Sequence, residues 1–376
     1  MMTLHSEPSP MRTILAALAL TLALIRGAAA EGLFDLAWRE VAKGVFVGGR
    51  EDPLRYPVVA NTIIVIGKRG VLVFDGGGFA AQGEQVVAKI RAETSKPVTH
   101  LVISHWHGDH HRGAFPIIDA FPGAEIIAHR FACAAMADGP ERRVEAGEAD
   151  LDATYDAVAG AVDSGKWFDG SDLSGPEKDY FRRMVADYPE YKAQLRLMRV
   201  LKPTIAIDET TTIDLGRRKL TLLHAGLGNT AGDLALYLAK EKVLATGDLV
   251  VAPVPYGFGS YPKEWARILR QLAALPATTI VPGHGAMMTD GAYLGRLATL
   301  LEEVAAEAAS SPAAEAAPAF AFSSAPEFVG DDPVKARLFE MFFKEPIAEA
   351  ARNEARGDHG KNEPLDGDAA AICGLP

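Results

Sequence analysis

The stretch SHWHGDHH, Ser104 to His111, puts four histidines and one aspartate into eight residues, directly after the apolar run THLVI. Val98 to Ile103 reads as a short buried strand, rich in β-branched residues. His105 and His107 lie just past its end, where residues two apart in an extended segment project to the same side, so two imidazoles can meet one metal. Asp109 and His110 follow as the chain turns into a helix and address a neighbouring position, where a second ion can sit. Zinc suits this mixture of imidazole and carboxylate, and a catalytic zinc needs about three protein ligands plus water. The plain alternative is a polar loop at a helix start. Against it, five of the ten histidines fall between His100 and His111.

Further candidates stand at later strand ends. Asp248, in LATGDLV, is flanked by short apolar runs and should emerge at a strand edge, where a carboxylate can bridge two ions. His284, in IVPGHG, follows the strand pattern Thr278 to Val281, and its flanking glycines let the backbone bring the ring close. Asp75, in LVFDGGG, also ends a strand; an Asx-turn at the start of a Gly-rich loop and a place beside the metals fit it equally. Taken singly, Asp248 or His284 is weak evidence.

The surrounding pattern alternates between strand and helix. Val58 to Gly67 and Val71 to Phe74 read as a strand pair around Lys68-Arg69-Gly70, Phe79 to Thr94 as helix, Arg112 to Phe121 as helix and Ala124 to Ala128 as strand. Residues 135 to 200 change texture to a charged amphipathic stretch, most simply a helical insertion without histidine or cysteine ligands beyond those outside it. Strands resume at Thr204 to Ile207, Lys219 to His224, Leu234 to Leu238 and Val243 to Ala245, with helices at Lys263 to Leu275 and Gly291 to Ala308. Strands in both halves, each half followed by helices, predict an α+β fold of two sheets packed between helical layers. Residues 309–326 read as an Ala/Ser/Pro-rich linker, and 327–376 as a C-terminal helical extension (Pro333 to Glu354) with a loose tail.

Composition bounds the function. The 376 residues are 48% hydrophobic and 23% charged, ordinary for a globular chain. A net charge of -11 with no basic run argues against a nucleic-acid surface. Cys133 and Cys373 are the only cysteines, which rules out a disulfide framework and leaves a single bridge open. From Met11, MRTILAALALTLALIRGAAAE has the basic start, apolar segment and A-x-A order of a secretory leader, so residues 1–30 are expected to be removed and the mature chain to be periplasmic or secreted. The apolar run is too short to span a bilayer, so no membrane span should remain after cleavage. Oligomeric state is not legible.

SHWHGDHH, GNTAGD, TGD and PGHG, in this order, resemble the motif series of the metallo-β-lactamase superfamily across roughly Leu33 to Ala308. The resemblance implies a four-layer αββα sandwich with metals at one edge between the sheets. It further implies that His105 and His107 hold a first metal, that Asp109, His110 and His284 hold a second, and that Asp248 lies near or between both. A metal-bound hydroxide would be the nucleophile, with Asp109 at the catalytic position. Asn229 departs from the family, which normally has histidine between glycine and threonine here. A carboxamide binds zinc less well than imidazole, so the first site should be weak. His224, five residues upstream, is a candidate substitute, with a structural histidine as the alternative. The cofactor expected is therefore one tightly bound zinc and a second, weaker one. The function expected is hydrolysis of a small-molecule ester, thioester, lactone or β-lactam, the alternative being a non-catalytic metal-binding or scaffold protein on the same fold.

Overall fold

The structure, a computed structural model, describes residues 32–138, 144–199, 201–310 and 320–361. The expected leader, Cys373 and thus any bridge to Cys133, half of the linker and the end of the tail lie outside the described residues. By contact the chain divides into Met1–Leu33 and Phe34–Pro376, and the fold below belongs to the second unit.

Its first sheet opens with β1 (Ala37–Ala42), β2 (Val45–Gly49), β3 (Thr62–Ile66) and β4 (Val71–Phe74), each antiparallel to the one before. Helix α1 (Ala80–Glu93) crosses over to β5 (Val98–Val102), which runs parallel to β4. Two short helices, α2 (Gly108–His111) and α3 (Phe115–Ala120), lead to β6 (Glu125–His129), again parallel. Then come α4 (Arg130–Asp138) and the long α5 (Val144–Ser164) and α6 (Gly175–Leu195), before β7 (Ile205–Ile207) closes this seven-stranded sheet. Ser174 starts α6 with a capping box, its side chain accepting from Glu177 N–H while Glu177 accepts from Ser174 N–H.

The second sheet holds β8 (Thr211–Asp214), β9 (Lys219–Leu223), β10 (Ala235–Leu238), β11 (Val243–Ala245) and β12 (Thr279–Val281), in the order β12-β11-β10-β9-β8, with β11 and β12 parallel. Between β11 and β12 lies α7 (Pro262–Ala273), and after β12 comes α8 (Ala292–Ser310). The C-terminal segment forms α9 (Pro326–Val329), α10 (Pro333–Phe339), a π-helical turn (Glu340–Lys344) and α11 (Glu345–Ala355).

Side-chain alternation makes the layers. Val45, Val47, Ile63, Val65, Leu72 and Phe74 point from the first sheet into one core with Leu220, Leu222, Leu236, Leu238, Val243 and Ala245 of the second. Ala235, Leu244 and Ile280, one residue out of register, face a different core against α7, α8 and the C-terminal helices. The period of two along each strand therefore dictates two sheets face to face with helices outside, a sandwich of the αββα kind. Fully burying one such Leu or Ile is worth about 1.5–3 kcal/mol. Among the described residues no helix is long and apolar enough to cross a membrane.

Candidate metal centre

Ligand atoms gather at the carboxyl ends of parallel strands, where an open α/β sheet leaves its crevice. Asp75 follows β4, Ser104 to His110 follow β5, Asp248 follows β11 and His284 follows β12. Cross-links between the sheets hold this edge. Leu234 N–H donates to Ser104 O at 2.8 Å, Asn61 N–H to Gly283 O at 2.7 Å, and Asn61 Nδ2 to Pro282 O and Gly285 O at 2.9 Å each.

Two groups of side chains bring their ligand atoms close enough to share an ion: His105, His110 and Asp248, and Asp109, His110 and His284. His110 belongs to both. Its Nε2 lies 3.2 Å from His284 Nε2 and 3.2 Å from Asp248 Oδ1, while His284 Nε2 lies 2.9 Å from Asp109 Oδ2. His105 Nε2 sits 3.5 Å from Asp248 Oδ2. His107 stands outside both groups, its Nδ1 2.9 Å from His105 Nε2 and 4.0 Å from Asp248 Oδ2. Asp248 Oδ1 is buried among these nitrogens without a hydrogen bond. An orphaned buried carboxylate oxygen is costly unless a cation meets it, and the imidazole and carboxylate donors around it suit zinc.

Orientation comes from the next layer out. His110 Nδ1–H donates to Asp75 Oδ2 at 2.8 Å, which leaves Nε2 with its lone pair toward the centre. The other Asp75 oxygen accepts from Ser104 N–H at 2.8 Å, pinning the start of the histidine run. Asp75 is thereby a positioning residue, and its φ of 56° turns the chain at that point. His284 Nδ1–H donates to Val59 O at 3.1 Å, again freeing Nε2.

Electrostatics follow from burial and surplus negative charge. Burial, then the charge of His110, pushes His105 down to about 4, so its ring is neutral and available as a ligand. For His110 burial acts downward, but Asp248, Asp75 and Asp109 outweigh it and hold the ring well above 6.5. Asp109 and Asp248 both lie below the usual carboxylate range: burial opposes this, and the charge of His110 overcomes it, with the close approach of His284 acting the same way. A proton on His110 and a divalent ion in the centre are alternative answers to the same negative charge, so any metal bound here would compete with that proton.

Asn229 is fully buried. Its Oδ1 accepts from Ser260 Oγ at 3.2 Å, and its Nδ2 has no hydrogen-bond partner. Turning the amide by 180° would give Ser260 a donor and leave oxygen as the free atom. His224 is engaged elsewhere: its Nδ1–H donates to Asp233 O at 3.1 Å and its ring stacks on His129 at 3.9 Å.

The mouth has a feature that spacing along the chain does not reveal. Tyr56, Tyr191 and Tyr256, from three separate segments, each feel the charge of Asp109. Burial first raises all three, helped by Asp109 and, in Tyr191 and Tyr256, by neighbouring phenols, while the hydrogen bond to Tyr191 opposes it in Tyr56; the net shift is upward in each, so all three stay protonated and can donate. Helix α6 is tied over the loop carrying Tyr56 by Arg55 to Asp187 at 2.8 Å and by Tyr180 Oη–H donating to Leu54 O at 2.8 Å.

The family model described as the metallo-beta-lactamase superfamily matches residues 55–284, well over half the chain. Among curated relatives, the linear primary-alkylsulfatase of Pseudomonas sp. (strain ATCC 19151) is 24% identical over 228 residues, 57% of this chain and 39% of that protein. The acyl-coenzyme A thioesterase MBLAC2 of Bos taurus is 26% identical over 105 residues, 26% of this chain and 37% of that protein. The chain thus spans less than half the length of these relatives. Among solved structures, a metallo-beta-lactamase from Pontibacter korlensis has a TM-score of 0.49 at 19% identity, over 71% of this chain and 99% of its own. The DIM-1 metallo-beta-lactamase gives 0.48 at 16%, over 71% and 97%. With its residues 55–284 matched in this way, the chain belongs to the metallo-beta-lactamase superfamily.

Proposed function

We propose that this protein is an exported, metal-dependent hydrolase of a small-molecule ester, thioester, lactone or β-lactam. One observation carries the reading: two ligand groups sharing His110 surround the orphaned Oδ1 of Asp248. Both relatives support hydrolysis, one being named an alkylsulfatase and the other a thioesterase. Export rests on the leader pattern before Glu31.

Asp109, His110 and His284 would hold the tighter ion, and His105 and Asp248 a weaker one that His107, 4.0 Å from Asp248, would have to close on, since Asn229 offers an amide where an imidazole would bind better. The chemistry a divalent ion would supply in this ligand set is Lewis acidity toward a carbonyl and toward water, whose pKa such ions lower to about 7. Asp109, ionised, would hold the ion through Oδ2, and its other oxygen would orient the attacking water and take its proton. That proton then passes to the departing oxygen, sulfur or nitrogen as its bond to the carbonyl carbon breaks. His110 holds its place through Asp75, and the protonated phenols of Tyr56, Tyr191 and Tyr256 donate to oxygens at the mouth.

The test is a hydrolysis screen over the four substrate types with zinc-loaded and chelator-treated protein. Hydrolysis of at least one type, lost on chelation and restored by zinc, supports the reading. A loaded protein inert on all four points to the binding or scaffold alternative.

A further inference from the structure

Three aromatic rings lead away from the centre. The ring of Tyr256 lies 6.5 Å from that of His284, and 5.3 Å on the other side from that of Phe342. Phe258 completes the set, 6.1 Å from Phe342 and 6.5 Å from Tyr256, and is 43% exposed, among the most open large apolar side chains of the described residues. Beyond it, Phe258 and Met341 line a cavity of about 360 Å³ rimmed by Glu345 and Glu349, a volume within the range of small-molecule sites, about 300–1,000 Å³.

Phe342 is brought here by an unusual device. It sits in the π-helical turn Glu340–Lys344, between α10 and α11. Such turns interrupt an α-helix at a cost and recur at functional sites. Gly257 N–H donates to Phe342 O at 3.2 Å, and a Cβ at Gly257 would lie 3.2 Å from Phe343 Cδ2 and 3.0 Å from Ile347 Cδ1. A side chain at 257 would require Ile347 or Phe343 to give way by a few tenths of an ångström, so the Tyr256 loop presses closely on the C-terminal segment. Tyr256 thus links the centre to the C-terminal segment, its ring within 6.5 Å of that of His284 and 5.3 Å of that of Phe342.

We propose that Tyr256, Phe258 and Phe342 receive an apolar acyl or aryl arm of the substrate, so that the C-terminal segment sets specificity for the reaction inferred above, on which this proposal rests. The rim carboxylates Glu345 and Glu349 disfavour an anionic arm. A wall of rings running out from His284 fits a substrate whose reacting carbonyl sits at the ligands and whose arm extends over aromatic surface.

The test is a series of p-nitrophenyl esters from acetyl to decanoyl, with the full-length, zinc-loaded protein. Burying each methylene should raise kcat/KM about fourfold over the first several, carried by KM. Phe342→Ala should cut the decanoyl-to-acetyl ratio at least tenfold with zinc content unchanged, and Phe342→Leu should restore part of it. Decanoate and butyrate binding, measured by calorimetry, provides a readout that does not need turnover. Decanoate should bind at least tenfold more tightly, and Phe342→Ala should erase the difference. A flat series in an active wild type, or a ratio within twofold after Phe342→Ala, overturns this inference and leaves the hydrolase reading standing. Should no ester be turned over, calorimetry decides alone: unequal binding supports the apolar subsite and equal binding overturns it.

Discussion

Asp75→Asn tests the centre without removing a ligand. Asp75 Oδ2 accepts the Nδ1–H of His110 and Oδ1 accepts the N–H of Ser104, both at 2.8 Å, in a residue only 1% exposed. Asparagine keeps the shape and tolerates the positive φ at this position. It cannot keep both bonds. With its oxygen on Ser104, its NH2 faces Nδ1–H of His110; turned around, its NH2 faces the Ser104 N–H. In the first case His110 relieves the clash by moving its proton to Nε2, the atom 3.2 Å from Asp248 Oδ1, and loses the lone pair a metal needs. Zinc affinity should fall about 10- to 100-fold, or about 1.4–2.7 kcal/mol. In the metal-free protein a buried donor left unpaired should cost about 1–3 kcal/mol of folding stability. Competition with a chromophoric chelator measures the first quantity and denaturant unfolding the second. Zinc affinity within twofold of wild type would refute the assignment of Asp75 as the residue that orients His110.

Asn229→His should raise bound zinc from near one to near two per chain by mass spectrometry of metal content, with His224→Ala as the control; loss of metal in that control would mean His224 is a ligand despite its stacking on His129. Burial, then the neighbouring His224, pushes His129 down to about 4. The unfolded chain therefore takes up a proton below about 6.5 that the folded chain refuses until about 4. Stability should fall with pH across that window, by about 3 kcal/mol at most, and this slope should shrink in His129→Gln melts. Arg55→Ala and Asp187→Ala should each loosen α6 over the Tyr56 loop and raise KM. Because the two side chains contact one another at 2.8 Å, the double variant should cost less than the sum of the singles.

The sequence carried the fold where pattern and burial coincide. Thr62–Ile66 and Val71–Phe74 are continuous apolar strands because helices cover one face and the second sheet the other. The hairpin Ala37–Ala42 and Val45–Gly49 escaped notice, since AWREVA carries exposed Arg39 and Glu40 and lacks a clean alternation. Pro333 to Glu354, read as one helix, contains the π turn, which no periodicity of 3.6 residues announces. At the centre, local spacing singled out His105, His107, Asp109 and His110, and strand ends pointed to Asp248 and His284; the structure gathers all of these but His107 into the two ligand groups. Asp75 stayed undecided because its partner His110 is 35 residues away, and an aspartate opening a Gly-rich loop has a local explanation as good. The phenols of Tyr56, Tyr191 and Tyr256 meet only through tertiary packing and left no trace in spacing.

The most direct measurement follows hydrolysis and metal content together on one sample of wild-type protein, stripped by chelator and then titrated with zinc. Activity should vanish with the metal, return steeply with the first equivalent and change little with the second. Hydrolysis that survives complete removal of metal would contradict the assignment of the reaction to the His110-centred ligand groups.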